Sequence, residues 1–257
     1  MKACVCGISG RMGMAVFNVL RERGHVLAAA FEREGSRGYG HAADEKAGVR
    51  IGPITESAVA LADVVIDFSS PSASLACLDA ASAAGKPIVI GTTGFSQEER
   101  VRIERAAGRI PLVLSPNMSL GVNLLFKLTE IAARTLAGYD VEIFEAHHRR
   151  KKDAPSGTAI RLLEAVKSAG PLRQGRMVTG RTGITGERSS DEIGVLAMRG
   201  GDIVGEHTVY FVGEGERLEL THRAGTRDTF ARGAVAAAEF LIGKKPGLYT
   251  MFDVLGI

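Results

Sequence analysis

The stretch EAHHRRKKDAPSGTAI, residues 145–160, places two histidines, two arginines and two lysines at consecutive positions 147–152. Neighbouring positive charges favour the neutral form of a histidine, and an anionic substrate would draw a proton back onto it. A histidine balanced in this way can deliver a proton near neutral pH. Lys151 lies four residues beyond His147, so the two side chains can face one site if the segment turns. The stretch therefore predicts proton-transfer chemistry.

The second half of this stretch is typical of a helix start that binds an anion. Pro155 and Gly157 shape a turn, and Ser156 or Thr158 stands where a helix cap is expected. Free N–H groups at such a start can bind a carboxylate. We therefore expect a pocket for a small polycarboxylate, which fits the stretch at least as well as a phosphate backbone does. A solvated basic loop is the alternative, and it is favoured for three of the cations: Arg149, Arg150 and Lys152.

A second candidate site lies at the glycine-rich stretch GISGRMG, residues 7–13, between a short apolar run and a helical pattern. Its spacing is G-x-x-G-x-x-G, whereas the commoner dinucleotide fingerprint is G-x-G-x-x-G. Glycines let the backbone approach a phosphate, and the helix that follows points its N–H groups at the same place. On its own, the stretch fits a tight strand-to-helix turn equally well.

The dinucleotide fingerprint also expects an acidic residue about 20 residues further on, at the end of the second strand. Glu32 occupies that place, and Arg33 follows it. The carboxylate suits the adenine-ribose hydroxyls of NAD, and the guanidinium suits the 2′-phosphate of NADP. The pair therefore predicts a nicotinamide dinucleotide, NADH and/or NADPH, and leaves the preference open.

Two more loops, GTTG at 91–94 and SPNMS at 115–119, follow apolar strands. Open α/β sheets bind ligands at the carboxyl ends of their strands. The hydroxyl and backbone groups of Thr92 and Thr93 therefore suit a nicotinamide ribose or amide. Either segment is equally compatible with a plain loop.

The elements that position these sites alternate regularly over about the first 117 residues. Apolar runs such as DVVIDF, PIVIG and PLVL alternate with helical patterns, which predicts a parallel sheet covered on both faces. The pattern then changes to a long helix, a strand that enters the basic stretch, and another helix. Three further runs, IGVLAMRGG, EHTVYFVG and RLELTHRAG, predict an antiparallel meander in an α+β region. A strong helix, TFARGAVAAAEFLIGKK, follows.

The composition narrows the class of protein. A net charge of +3 is weak for a nucleic-acid binder, and the basic stretch has no interleaved aromatic residues. No apolar run approaches the roughly 20 residues that span a membrane, and the N-terminus lacks a signal-peptide core. Three cysteines without metal-ligand spacing predict reduced, buried thiols, no metal and a cytoplasmic location. Cys4 and Cys6 should point to the same face of a strand.

Together these motifs resemble the 4-hydroxy-tetrahydrodipicolinate reductase (dihydrodipicolinate reductase) family. EAHHRRKKDAPSGTA is the most specific element, and the match also includes DFSSP, SPNMSLGVN and RGGDIVGEHTVYF, in the same order over nearly the whole chain. The resemblance implies an NAD(P)H-dependent oxidoreductase of the diaminopimelate route to lysine. It also implies a Rossmann-like N-terminal domain (1–118 and 228–257) and an α+β mixed-sheet domain for substrate binding and tetramerisation (119–227).

The resemblance further implies roles for individual residues. His147 matches a proton donor/acceptor, and Lys151 a second proton donor. Positions that match substrate contacts are His148, Gly157 and Thr158. Positions that match cofactor contacts are Gly7, Ile8, Ser9, Gly10, Arg11, Met12, Glu32, Arg33, Gly91, Thr92, Thr93, Ser115, Pro116, Asn117 and Met118.

Two alternatives remain open at this point. Another Rossmann-type reductase of small oxo or imino acids, such as an amino-acid dehydrogenase, would share the glycine turn but need not contain HHRRKKDAPSGT. A non-catalytic dinucleotide sensor that contacts nucleic acid would bind cofactor without turnover, and its nucleic-acid binding would fall steeply with salt.

Overall fold

The computed structural model describes residues 1–36 and 38–257. The elements are numbered in chain order. The strands are β1 (Lys2–Cys6), β2 (Val26–Phe31), β3 (Ala42–Asp44), β4 (Val49–Gly52), β5 (Val64–Asp67), β6 (Ile88–Ile90), β7 (Pro111–Leu114), β8 (Asp140–His147), β9 (Arg176–Val178), β10 (Glu192–Arg199), β11 (Gly205–Val212), β12 (Arg217–Ala224) and β13 (Gly247–Tyr249). The helices are α1 (Arg11–Glu22), α2 (Glu56–Ala60), α3 (Pro71–Ala83), α4 (Gln97–Ala106), α5 (Leu120–Thr135), α6 (Gly157–Ala169), α7 (Asp228–Leu241) and α8 (Met251–Leu255).

The chain forms two compact units. Unit 1 comprises Met1–Leu120 and Arg227–Ile257, and unit 2 comprises Gly121–Thr226. The roles that the sequence analysis gave to its two domains stay predictions.

Unit 1 contains a sheet with the order β13-β7-β6-β5-β1-β2-β4-β3. Its neighbouring strands are parallel, except that β3 runs antiparallel to β4. The strand order reverses between β1 and β5, because β2 and β4 lie on one side of β1 and the later strands on the other. Such a reversal opens a crevice at the carboxyl ends of the strands. The predicted Rossmann-like α/β class is confirmed.

The central strands of unit 1 are apolar on both faces because helices cover both. Ala3 and Val5 of β1 pack into one buried cluster, and Cys4 and Cys6 pack into another on the opposite face. The two cysteines therefore share a face, as predicted, and all three cysteines of the chain are buried free thiols. Each fully buried aliphatic side chain contributes roughly 1.5–3 kcal/mol, so this core stabilises the sheet whose edge carries the loops.

Local signals set the helix boundaries in unit 1. The predicted capping box of α4 is present, with the Ser96 hydroxyl accepting from the Glu99 N–H and the Glu99 carboxylate accepting from the Ser96 N–H. Helix α1 ends before Gly24, which adopts a φ of +72°. No helix in the described residues is both long enough and apolar enough to cross a membrane. The short elements β3, β4, α2, β9, β13 and α8 were not predicted.

The sheet of unit 2 is mixed and has the order β12-β11-β8-β10-β9. β10 pairs with β8 in parallel, whereas β11 is antiparallel to both β8 and β12. The predicted α+β mixed-sheet class is confirmed. The predicted meander is wrong for its first strand, because β8 lies between β10 and β11. Of the three predicted meander strands, β11 and β12 pair with each other as predicted.

The connection between β10 and β11, residues 200–204, explains this arrangement. It crosses the carboxyl end of β8, a span of two strand spacings or roughly 10 Å, which five residues can cover. Hydrogen bonds fasten it there: the Gly200 N–H donates to the carbonyl of His147 (2.9 Å), and the His148 N–H donates to the carbonyl of Ile203 (2.8 Å). The connection thereby holds the backbone at the start of the basic stretch.

Candidate functional site

The glycine turn of unit 1 is closely packed. Gly7 has a φ of +77°, which L side chains rarely adopt, and an added Cβ would lie 2.2 Å from the carbonyl oxygen of Phe68. A Cβ at Gly13 would lie 2.1 Å from the carbonyl oxygen of Gly7. Glycine is therefore required at both positions. The packing brings the first N–H groups of α1, which starts after Gly10, to the crevice between β1 and β5.

A cavity of about 720 Å³ adjoins this turn. Its lining includes Gly7, Gly10, Glu32, Arg33 and Phe68. The Oε1 atom of Glu32 accepts a hydrogen bond from the Ser9 N–H at 2.8 Å, so the carboxylate is held at the mouth of the glycine turn. Three features of this cavity suit NAD(P)H: glycine backbone where a Cβ cannot fit, the N–H groups at the start of a helix, and an acid at the end of β2.

The predicted nicotinamide-side residues lie at the carboxyl ends of β6 and β7. Thr92 is buried, and its hydroxyl donates to Oδ2 of Asp67 at 2.7 Å. The Met118 side chain is buried in the core, and the Ser115 hydroxyl donates to the Asn117 carbonyl at 2.8 Å. Met118 is almost fully buried as a whole residue, whereas Thr93 is exposed.

Three potential metal ligands also meet in unit 1. Ligand atoms of Cys6, Asp67 and Cys77 lie within 4.8 Å of one another, and all three residues are buried. A hydrogen bond with Cys6 and burial raise the pKa of Cys77, and burial raises the pKa of Asp67. Both shifts favour the protonated forms of these groups in the folded chain.

The second candidate site lies at the carboxyl end of β8 in unit 2. Residues two apart on a strand share a face, so Glu145 and His147 extend the buried face that begins with Val141 and Ile143. In the parallel register Arg199 of β10 lies beside His147. The apolar face of the strand thus ends in a buried acid, a histidine and an arginine.

Glu145 is fully buried and its hydrogen-bonding capacity is filled. Its Oε1 atom accepts from Arg199 Nη2 (2.7 Å) and from the Ser156 N–H (3.0 Å). Its Oε2 atom accepts from Arg199 Nη1 (2.7 Å) and lies 2.6 Å from Nδ1 of His147. A carboxylate with these donors is ionised, so Nδ1 of His147 carries a hydrogen. Nε2 is then the nitrogen that exchanges a proton.

Electrostatics at this pair favour an ionised acid and a neutral histidine. Burial alone would raise the pKa of Glu145, but the hydrogen bonds from Arg199 and His147 lower it below its usual range. Burial lowers the pKa of His147; the Glu145 carboxylate opposes this, and the charges of Lys151 and Arg199 reinforce it. A bound dianion would raise the pKa of His147 and so favour the imidazolium, with the added proton on Nε2.

Ser156 and His207 close the buried side of the site. The Ser156 hydroxyl caps α6 by accepting from the Ala159 N–H at 3.2 Å, and it lies 3.1 Å from Nε2 of His207. The His207 ring makes an edge contact with His147, with ring centres 5.2 Å apart. Burial, together with the nearby His147, lowers the pKa of His207 to about 3, so this ring is neutral at physiological pH.

The remaining predicted residues of the basic stretch lie around this pair. Lys151 is paired with Asp153 at 2.9 Å, and its charge acts on His147. The Nδ1 atom of His148 is buried and has no hydrogen-bond partner in the described part of the chain. Gly157 is exposed at the start of α6 with open space around it. Thr158 follows it in the first turn, and three cations are exposed: Arg149, Arg150 and Lys152.

Sequence reasoning missed Glu145, Arg199 and His207 as members of this site. The Glu-x-His spacing on a predicted strand was a usable signal, because it places both side chains on one face. Arg199 and His207 come from β10 and β11, and only the pairing of those strands with β8 brings them to Glu145.

The fold and these two sites define a two-domain oxidoreductase with a Rossmann-type nucleotide domain. The family model described as "Dihydrodipicolinate reductase, N-terminus" matches residues 1–118, and "Dihydrodipicolinate reductase, C-terminus" matches residues 121–255. The chain belongs to the dihydrodipicolinate reductase family.

Similar proteins support this membership over the full length. A 4-hydroxy-tetrahydrodipicolinate reductase of Ralstonia nicotianae is 51% identical over 264 residues, which cover 100% of both chains. The protein of that name from Geobacter sulfurreducens is 49% identical over 263 residues, covering 100% of this chain and 99% of the relative. A dipicolinate-bound dihydrodipicolinate reductase from Paenisporosarcina sp. TG-14 superposes with a TM-score of 0.79 over 98% of each chain; at 22% identity it supports the fold alone.

Proposed function

We propose that the protein catalyses the NAD(P)H-dependent reduction of 4-hydroxy-2,3,4,5-tetrahydrodipicolinate to 2,3,4,5-tetrahydrodipicolinate in the diaminopimelate route to lysine. The reaction takes up one hydride and one proton and releases one water. The observation that carries the proposal is the buried Glu145–His147 pair beside the open start of α6. Family membership names the substrate, and this geometry supplies the groups that its reduction needs.

In unit 1 the proposed cofactor contacts are the glycine turn, Glu32 with Arg33, and the strand ends at Gly91–Thr93 and Ser115–Met118. The Ser9–Glu32 hydrogen bond supports the ribose contact, because it fixes the carboxylate beside the turn. When bound, the dihydronicotinamide supplies the hydride. Glu32 and Arg33 suit NADH and NADPH respectively, so we propose that both cofactors are used.

In unit 2 we propose that His147 delivers the proton from Nε2. Glu145 holds the imidazole with its Nδ1–H directed inward and stabilises the imidazolium when it forms, while Arg199 keeps Glu145 ionised. We propose that Lys151, whose charge already acts on His147, is the second proton-donating group and shares with His147 the handling of the one proton that the reaction takes up. Proton delivery by a positioned side chain typically contributes about 10²–10⁴-fold.

We propose that the substrate carboxylates bind at the start of α6. Gly157 leaves space there, and the first N–H groups of a thirteen-residue helix present a partial positive charge. Thr158 follows Gly157 in the first turn of α6, and we propose that Thr158 and His148 complete the substrate contacts. Holding both carboxylates orients the ring for reaction, which lowers the entropic part of the barrier.

The test is oxidation of NADH and of NADPH, in parallel, with freshly generated 4-hydroxy-tetrahydrodipicolinate. We expect turnover with that substrate and none with a panel of 2-oxo and 2-imino acids. Turnover of the panel without turnover of the dicarboxylate would favour the amino-acid dehydrogenase alternative. Cofactor binding without any turnover would contradict an enzymatic role.

We also propose that the protein is a homo-oligomer, a tetramer, that assembles through unit 2 and works in the cytoplasm. Support comes from two large apolar side chains, Met198 and Val212, that are exposed on the face of its sheet opposite the buried face of Val141. Large apolar side chains left exposed on a sheet face suit an association surface. Light scattering should give four times the chain mass of 27.2 kDa, and a monomer mass would contradict the proposal.

A further inference from the structure

Asp67 ends β5 at the point where the strand order of unit 1 reverses. Its side chain is fully buried. The Ser69 hydroxyl donates to Oδ1 at 2.5 Å, and the Thr92 hydroxyl donates to Oδ2 at 2.7 Å. The Ser69 N–H in turn donates to the Thr92 hydroxyl at 2.9 Å. These three residues therefore form a closed hydrogen-bonded ring that joins the loop after β5 to the loop after β6.

A carboxyl group in this position is unfavourable for the fold itself. In the described residues no lysine or arginine pairs with Asp67, and its ionisable neighbours are the thiols of Cys6 and Cys77. Burial raises the pKa of Asp67, although its hydroxyl donors oppose the rise. A fully buried carboxylate that has hydroxyl donors but no paired cation loses more solvation than its hydrogen bonds restore, so it costs stability.

The two loops that Asp67 joins adjoin the proposed cofactor crevice. Phe68 and Ser69 line the cavity that also contains Glu32. With the pyrophosphate at the start of α1 and the adenosine ribose at Glu32, the other half of a dinucleotide extends towards the ends of β5 and β6. A second contact ties the same loops, because the Phe68 ring occupies the space that a Cβ of Gly91 would need, 2.1 Å from its Cε1 atom.

We propose that Asp67 is a positioning residue for the nicotinamide half of the cofactor, fixing the Ser69 and Thr92 loops through its two hydrogen bonds at the expense of fold stability. The inference rests on the proposed use of NAD(P)H. It predicts that removing the carboxylate weakens cofactor binding without weakening the fold. A residue with a purely structural role would lose both together.

The variant Asp67→Asn separates these outcomes, because the amide keeps the size of the side chain but accepts at one oxygen only. Asp79→Asn is the matched control: it makes the same change on α3 at an exposed ion pair with Arg102. Ser69→Ala is a second variant that removes one donor and leaves Asp67 in place. The chain has no tryptophan whose quenching could report binding. The fluorescence of NADH itself therefore serves to measure NADH binding in the absence of substrate.

We expect Asp67→Asn to raise the Kd for NADH about tenfold and Ser69→Ala to raise it several-fold, in line with the loss of one or two hydrogen bonds. The urea midpoint of cofactor-free Asp67→Asn should equal or exceed that of wild type, and Asp79→Asn should change neither quantity. An unchanged Kd in both variants, or weaker binding matched by a lower midpoint, would overturn the inference. If Asp67→Asn does not fold, the Kd and midpoint of Ser69→Ala decide in the same way. Wild-type protein that binds neither NADH nor NADPH would overturn the proposed function and this inference with it.

Discussion

The Nδ1 atom of His147 lies 2.6 Å from Oε2 of Glu145, a fully buried carboxylate two residues earlier on β8. Because Arg199 and the Ser156 N–H fill the remaining acceptor sites of Glu145, the histidine must donate from Nδ1. Proton exchange is thereby confined to Nε2. This relationship supports the proposed role of His147 in proton transfer, because the ring of a histidine in a solvated basic loop would have no such fixed direction.

The first prediction concerns the charge of Glu145. The variant Glu145→Gln should lower kcat by about 10²-fold or more, because the amide no longer fixes the Nδ1–H tautomer or stabilises the imidazolium. It should also lower the free energy of unfolding by about 3 kcal/mol, since Arg199 loses its buried counter-charge. Steady-state kinetics and urea unfolding measure the two effects.

Glu142→Gln is the control for this prediction. Glu142 lies three residues earlier on β8, on the opposite face, where it pairs with Arg181 and Arg188. The kcat of Glu142→Gln should match that of the wild-type protein. If Glu145→Gln and Glu142→Gln lower kcat equally, the assigned role of Glu145 is wrong.

The second prediction concerns stability in mild acid. The pKa of His207 is lowered to about 3, and the pKa values of His147 and His222 are lowered too, mainly by burial. Unfolding lets these groups bind protons that the folded state excludes. Their contribution is therefore complete above the ordinary histidine pKa, about 6.5, and is lost as the pH falls below it. Each such histidine lowers the free energy of unfolding by at most about 1.4 kcal/mol per pH unit.

Urea unfolding of wild type and His207→Gln at pH 7 and pH 5.5 checks this expectation. Between pH 7 and pH 5.5 the free energy of unfolding should fall less in the variant than in wild type. The difference should be roughly the contribution of one histidine that binds a proton only when the chain is unfolded. Equal losses in the two proteins would mean that His207 is not held neutral by the fold.

The third prediction concerns cofactor choice. Arg33 is exposed at the cavity mouth, and Glu32 is fixed by the Ser9 N–H. Arg33→Ala should raise the KM for NADPH by about 10-fold and leave the KM for NADH nearly unchanged, because only the 2′-phosphate uses the guanidinium. Parallel assays with the two cofactors give the ratio of the two KM values. An equal rise in the KM for NADH and the KM for NADPH would refute the assignment of Arg33 to the 2′-phosphate.

Much of the fold could be predicted from local signals. Buried apolar runs predicted the parallel strands β1, β5, β6 and β7, and the Ser96–Glu99 capping box predicted the start of α4. These features depend on residues close together in the chain. The glycine turn was predictable for the same reason, since Gly7 and Gly13 constrain the backbone within one loop.

What could not be predicted depends on pairing between distant strands. Arg199 reaches Glu145 across 54 residues, and His207 arrives only because β11 pairs with β8. The meander was mispredicted because the short turn between β10 and β11 suggested neighbouring strands, whereas the strands pair on either side of β8. A short connection shows that two strands are close in sequence. Whether they pair with each other depends on other strands, and here β8 lies between β10 and β11.

We propose that His147 and Lys151 handle the proton of a reduction whose cofactor binds in unit 1. The most direct measurement compares wild type with the double variant His147→Gln, Lys151→Ala for turnover of 4-hydroxy-tetrahydrodipicolinate, with NADH binding measured alongside. We expect turnover to fall by about 10⁴-fold, as two proton-handling groups are lost, while the Kd for NADH stays at the wild-type value. Near wild-type turnover in the double variant would contradict the proposed role of His147 and Lys151.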